Sequence, residues 1–324
     1  MDQFIAFLAS AISIGTVFLY GCVGEITTEK SGHLNLGIPG IMCMGCAGGC
    51  YAVYLYMAGL ADPTAASWFL LVLFSILGVA VFAGIGGLIY AFLTVSLKSN
   101  QNVTGLALTI FGTGFCQFFM AQYVDTSNFS VASKIIRTGF SFAGNLGWFG
   151  ELFFSHGFFV YFAVIIAVVT SIVFRKTRIG LNLRAVGENP STADAAGINV
   201  NRYKYVAILA GSAIAGLGGF FYVMDYIGGM WRNSSPIEGL GWISIALVIF
   251  TLWKPDLAIL GAIIFGAFYI APAKITGVSF TEMTAFKLLP YVVTIIVLIV
   301  TSVIGSKENQ GPAALGASYF REER

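Results

Sequence analysis

The chain alternates long apolar runs with short polar breaks. The runs cover roughly residues 4–23, 34–57, 66–97, 103–123, 153–174, 203–224, 240–253, 256–273 and 284–304. A helix rises about 1.5 Å per residue, so about 20 apolar residues cross a bilayer core. The pattern predicts an all-α polytopic membrane protein with about nine transmembrane or half-membrane helices. The run 240–253 is short, and reads as a half-helix or as a span that begins earlier. The run 66–97 is long enough to tilt or to carry an interfacial turn. Pro39, Pro272 and Pro290 fall in or near runs and predict kinks.

Two breaks are long. Residues 124–152 predict either a lid over the bundle or a docking surface for a partner, with short helices of their own. The other break contains "LNLRAVGENPSTADAAGINVNRYKY", residues 181–205. Asn189 is a favoured N-cap, and Pro190 suits the first helical position because it has no N–H to leave unpaired. "PSTADAA" then makes about two turns, and Gly197 is a natural residue for a left-handed stop. Ile198 packs back on the helix, and Arg202 and Lys204 mark re-entry into the bilayer. The wording spells a short, capped, rigid helix with small side chains on its surface.

Composition agrees with the pattern. The chain is 57% hydrophobic and 10% charged, against about 25% charged in a soluble domain. The first run lacks a basic leader and a clear small-residue cleavage site, so it reads as a retained helix. Alternating the runs with the C-terminus inside places 12 of the 17 Lys and Arg on the cytoplasmic side. That set runs from Lys30 and Lys98, through the cluster between Arg175 and Lys204, to Lys254, Lys307, Arg321 and Arg324. Lys134, Arg137, Arg232, Lys274 and Lys287 fall outside. Asp225 and Arg232 read as interfacial on the outer side, and Lys254-Pro255-Asp256 as a tight cytoplasmic turn.

Candidate chemistry is sparse. Cys22, Cys43, Cys46, Cys50 and Cys116 lie in apolar runs and read as packing residues rather than metal ligands. Two histidines and carboxylates near run ends offer no catalytic constellation, and no phosphate-binding loop occurs. The chain therefore predicts no enzyme, no cofactor of its own and no nucleic-acid partner.

"LRAVGENPSTADAAGINVNRYK" resembles the cytoplasmic coupling-helix signature of ABC importer permeases of the branched-chain amino acid, ribose and nucleoside type. "TEKSGHLNLGIPGIMCMGC" (28–46), "LKSNQNVTGLALTIFGTG" (97–114) and the ending "GPAALGASYFREER" resemble its nucleoside and simple-sugar branch. Pro39 departs from that pattern, where an acidic residue is more usual. The resemblance implies a cell-membrane permease that forms half of a translocation path, with a second and related permease chain. It also implies cytoplasmic ABC ATPase subunits that use the ATP, and an extracytoplasmic substrate-binding lipoprotein. The coupling helix falls at about 188–198, with Arg184, Glu188, Asn189, Pro190, Asp194, Ala195, Ala196, Gly197 and Ile198 meeting or positioning the ATPase. Residues 1–306 form the permease domain and 307–324 a cytoplasmic tail.

Polar groups inside spans are candidates for the solute path. Asn35, Gln101, Asn102 and Thr104 are placed there, with a turn-ordering or capping role as the alternative for each. His33 reads as a structural residue of the 31–40 break, itself a candidate broken helix whose backbone faces a cavity. The expected function is uptake of a nucleoside or related small polar solute. A secondary transporter or channel is the alternative; it normally needs ionisable residues deep in spans, and Glu25 comes nearest.

Overall fold

The computed structural model describes residues 2–124, 126–140, 143–274, 280–286, 288–304 and 310–320. Lys287, Lys307, Arg321 and Arg324 lie outside the described residues, as does the 306/307 boundary between permease domain and tail. Among the described residues fourteen α-helices follow in chain order: α1 Asp2–Glu29, α2 Ile38–Ala58, α3 Trp68–Ala91, α4 Gln101–Tyr123, α5 Thr126–Ile136, α6 Gly147–Phe153 and α7 Phe158–Lys176. They continue with α8 Arg178–Glu188, α9 Pro190–Ala195, α10 Val200–Phe221, α11 Ser235–Phe250, α12 Pro255–Lys274, α13 Phe280–Phe286 and α14 Leu289–Ile304. A wider, π-type turn extends α3 to Ser96 and another extends α10 to Tyr226. Among the described residues seven helices are long and apolar enough to cross a membrane: α1, α2, α3, α4, α7, α10 and α12. α11 and residues Leu289–Val300 of α14 are apolar but shorter. The protein is an all-helical, polytopic membrane protein.

α2 is the most enclosed span, with 78% of its apolar window inside the protein, against 33% for α3 and α7. It packs on α3, α4 and α10, while α1 packs on α10 and α12. The hydrophobic effect does not drive helices together in lipid, so close backbone approach must. Glycine permits it. A Cβ on Gly45 of α2 would lie 2.3 Å from the Gly216 Cα of α10, and one on Gly24 of α1 would lie 2.5 Å from the Gly211 carbonyl oxygen. The faces turned outward carry large apolar side chains instead. Phe69, Leu77, Val81 and Leu88 of α3 are exposed, as are Ile165, Val169 and Ile172 of α7. All five cysteines are buried and free, within the helix packing.

Two expectations need correction. Pro39 and Pro290 kink nothing: each is the second residue of its helix, where a missing N–H leaves no intrahelical bond unmade. Pro272 does lie inside α12. Asp225 lies at the end of the α10 span and is 5% exposed, its Oδ2 2.5 Å from where a Cβ on Gly157 would fall. Arg232 is exposed. Residues 124–152 carry α5, α6 and a short 3-10 turn, Ala143–Leu146.

Candidate functional site

α7 ends at Lys176, and the chain turns at once into α8. Thr177 caps the new helix, its Oγ1 accepting the Gly180 N–H at 3.1 Å. Arg178, in the basic cluster that follows the run 153–174, is the first residue of α8. That helix is amphipathic, burying Gly180, Leu183, Val186 and Gly187 while Arg184 and Glu188 stay exposed.

The next helix follows its predicted punctuation. Asn189 Oδ1 accepts the Thr192 N–H at 3.0 Å, and Pro190 opens α9. Gly197 has φ +82°, reached readily only without a side chain. The Gly197 N–H donates to Asp194 O and the Ile198 N–H to Ala193 O, each at 3.0 Å, which satisfies carbonyls that a helix end leaves unpaired. Ala193 is buried in a small cluster with Val186 and Val200, against which Ile198 packs. Ser191, Thr192, Ala195 and Ala196 are exposed. α9 therefore presents a flat, small-residue face on a base that is fully capped.

The tail crosses this end as a strap. The Ala313 N–H donates to Glu188 Oε2 at 3.3 Å, and the Ala314 N–H to Gly187 O at 3.0 Å. The Gly316 N–H donates to Gly32 O at 3.1 Å, and Gln101 Nε2 to Ala317 O at 3.4 Å. The Tyr319 hydroxyl then donates to Asp194 Oδ2 at 2.8 Å, and Lys98 Nζ lies 4.2 Å from the centroid of the Phe320 ring. A cleft of about 400 Å³ separates the strap from α9, lined by Lys98, Asp194, Asn199 and Tyr319 among others.

The strap reaches the joint between α1 and α2, where two of the solute-path candidates sit. Asn35 is fully buried: its N–H donates to Glu25 Oε1 and its own Oδ1 accepts the Gly37 N–H, both at 2.9 Å. Gln101 Oε1 accepts the Leu34 N–H at 2.8 Å. The Tyr90 hydroxyl donates to Leu34 O at 2.5 Å and Thr109 Oγ1 to Leu36 O at 2.9 Å. Asn102 is exposed and Thr104 buried; neither touches the joint through a side-chain bond described here. The 31–40 break is therefore not a broken helix open to a cavity. Side chains from α1, α3 and α4 fill it and take up its backbone groups. His33 is 1% exposed there, and burial, with the Lys204 charge adding to it, pushes its pKa down to about 3.

Several residues of this end escaped the sequence reading. Glu29 is buried and accepts a hydrogen bond from Trp253 Nε1, across from α1 to the turn before α12. The first apolar run reads as ending near residue 23, yet α1 continues to Glu29, with the Thr27 and Thr28 hydroxyls bonded back to Val23 O and Gly24 O. Tyr90 and Tyr319 gave no signal beyond their aromatic character.

Residues 7–300 match the family described as branched-chain amino acid transport system / permease component. The nucleoside ABC transporter permease protein NupC of Lactococcus lactis is 30% identical over 323 residues, 98% of this chain and 97% of the relative. The guanosine ABC transporter permease protein NupQ of Bacillus subtilis is 27% identical, over 93% of this chain and 92% of its own. The galactofuranose transporter permease protein YtfT of Escherichia coli is 27% identical, over 66% of this chain and 57% of its own. The chain belongs to the branched-chain amino acid transport system / permease component family.

Proposed function

We propose that this protein is the membrane-spanning subunit of an ATP-driven ABC importer and forms half of the path for a nucleoside. α9 is the coupling helix, and its exposed Ala195–Ala196 face seats in an ATPase subunit. That end of the molecule is cytoplasmic, and the tail with it. ATP is hydrolysed in the partner chain. A second, related permease subunit completes the path, and an extracytoplasmic lipoprotein delivers the solute. The observation that carries the reading is the geometry of α9, capped by Asn189 and Gly197 with only small side chains turned outward. A free surface helix gains nothing from that face; a helix seated in a groove does. Two relatives named for nucleosides or guanosine match over nearly their whole length and support that solute class; the relatives named for sugars, one for glucose, 31% identical over 80% of this chain, and one for galactofuranose, over 66%, match less of it.

The test is uptake of radiolabelled nucleosides by vesicles holding the assembled importer. Uptake requires hydrolysable ATP and stops when the ATPase is inactivated. Uptake that persists with a dead ATPase overturns the reading.

One observation favours a secondary transporter: Glu25 and Glu29 lie buried in α1, as carboxyls of ion-coupled carriers do. Glu25 Oε1, however, accepts from the Asn35 N–H at the α1–α2 joint, and Glu29 accepts from Trp253 in the turn before α12, which assigns each carboxyl a structural partner. Proton-driven uptake by the isolated chain would reverse that assignment.

A further inference from the structure

Of the seven spans, α4 alone among the described residues exposes a polar side chain between its first and last turns. That residue is Gln117. The exposed side chains of α3, from Trp68 to Ile89, are all large and apolar. Those of α7 are Val164, Ile165, Val168, Val169 and Ile172 ahead of its basic last turn. Lipid tails offer no hydrogen bonds, so a polar side chain within a span faces the bundle interior or a water-filled cavity. The exposed face of α4 is therefore not a lipid face.

Gln117 lies six residues before the end of α4, about 9 Å along its axis. Its Oε1 accepts the Ser234 N–H at 3.3 Å, which places the start of α11 at that depth. The short apolar run 240–253 thus belongs to a helix that begins below the end of its neighbour. From Ser234, α11 runs back toward the coupling end, where Trp253 meets Glu29. About one turn inward, α4 presents Gly114 and α11 presents Glu238 and Gly239; Trp242 follows one turn later on the Glu238 face. A Cβ on Gly114 or on Gly239 would meet nothing within 4 Å, and Glu238 and Trp242 are half-buried. The result is a recess with two open glycines, an amide, a carboxyl and an indole at one level of the bundle.

We propose that this α4–α11 face is the wall of the solute path and that Gln117, Glu238 and Trp242 are its contacts with a nucleoside. A carboxylate accepts from ribose hydroxyls, an amide both donates to and accepts from the edge of a base, and an indole stacks on the base plane. The second permease chain supplies the opposite wall. The rival is that chain packed dry against the same face. A dry contact would enclose the Glu238 carboxyl without water, which is costly in a membrane. The proposal rests on the importer reading above.

The test uses spheroplasts that express the assembled importer, its lipoprotein included, with Gln117→Cys, Gly114→Cys or Ile165→Cys in this chain. A charged, membrane-impermeant methanethiosulfonate is added outside, and labelling is read by mass spectrometry of the purified chain. The five native cysteines are buried, and the parent gives their background. Gln117→Cys and Gly114→Cys should label, while Ile165→Cys on the lipid face stays at background. Guanosine or uridine in excess should slow the Gln117→Cys reaction several-fold. Glu238→Gln, compared at equal membrane level, should lower nucleoside uptake about tenfold, the loss of one hydrogen bond to a charged group. Gly114→Cys decides access if Gln117→Cys fails to assemble, because its side chain enters open space. Parent spheroplasts that take up neither nucleoside sink the importer reading, and this proposal with it. With normal parent uptake, three results overturn this proposal alone: both cysteines at background, labelling that neither nucleoside slows, or unchanged uptake in Glu238→Gln.

Discussion

In the middle of the bundle, Gly45 of α2 meets Gly216 of α10 backbone to backbone. At the coupling end, the residues between α1 and α2 meet their neighbours through side-chain hydrogen bonds from Glu25, Gln101, Tyr90 and Thr109. The first region is held by shape, since lipid tails are as apolar as the side chains they would replace. The second lies where helices stop, and every stopped helix leaves backbone groups that need partners. The difference teaches where movement is possible. A glycine contact has one tight arrangement. A hydrogen-bonded joint can exchange one set of partners for another at a modest cost.

The comparison breaks first, and hardest, at the glycine contact. Gly45→Leu puts a branched side chain where a Cβ alone already overlaps Gly216, and should cost about 3 kcal/mol or more. Loss of the monodisperse, folded chain after extraction measures it. Gly84→Leu is the control, because a Cβ there meets nothing within 4 Å. Equal tolerance at both positions would mean that shape does not hold the middle.

At the coupling end a bulky substitution has a different signature. Ala196→Trp adds a large side chain on the exposed face of α9 and leaves the Asn189 cap and the buried Ala193 in place. The fold should survive, while uptake by the assembled importer falls at least roughly tenfold, the loss of about 1.4 kcal/mol of docking energy. Intact coupling with Trp at that position removes the docking role from α9.

The third probe is acid. His33 has a pKa near 3 in the folded chain against 6.5 unfolded. Its contribution to stability is full above pH 6.5 and is lost as pH falls from there toward 3. At pH 5 the loss is about 2 kcal/mol. The charge that acts on it is that of Lys204, so the informative quantity is a difference. His33→Gln should lose less stability between pH 7 and pH 5 than the parent, by about that amount, in thermal melts. Parallel acid profiles would show that burial does not keep His33 neutral.

Much of this architecture was legible from pattern. The long helices follow the apolar runs, and α9 follows its own caps, because Asn-Pro and Gly impose local geometry whatever surrounds them. What stayed hidden is relational. Gln101 and Asn35 are polar residues near span ends, and nothing local tells a solute ligand from a partner for the Leu34 and Gly37 amides. α8 was missed because an amphipathic helix of 11 residues beside a basic span end reads as a loop. The strap was invisible for the same reason. "GPAALGASYF" has no periodicity, and its order comes from hydrogen bonds to residues more than a hundred positions away.

A last variant tests whether the two halves of this end act as one. Tyr319 ties the strap to Asp194 of α9, while Gly316 and Ala317 tie it to Gly32 and Gln101 at the α1–α2 joint. Motion of α9 therefore has a path to the joint that avoids the length of any spanning helix. Tyr319→Phe keeps the ring and removes one hydrogen bond to a carboxylate, worth about 1.5 kcal/mol. The expected result is folded protein whose ATPase partner still hydrolyses ATP, with a several-fold lower ratio of solute moved to ATP used. Hydrogen exchange separates transmission from a local effect. The Ala314 and Gly316 amides, bonded to Gly187 O and Gly32 O, should exchange faster in the variant if the strap moves as a unit. Unchanged exchange together with unchanged coupling would leave the strap as a passive cover over α9 and the joint.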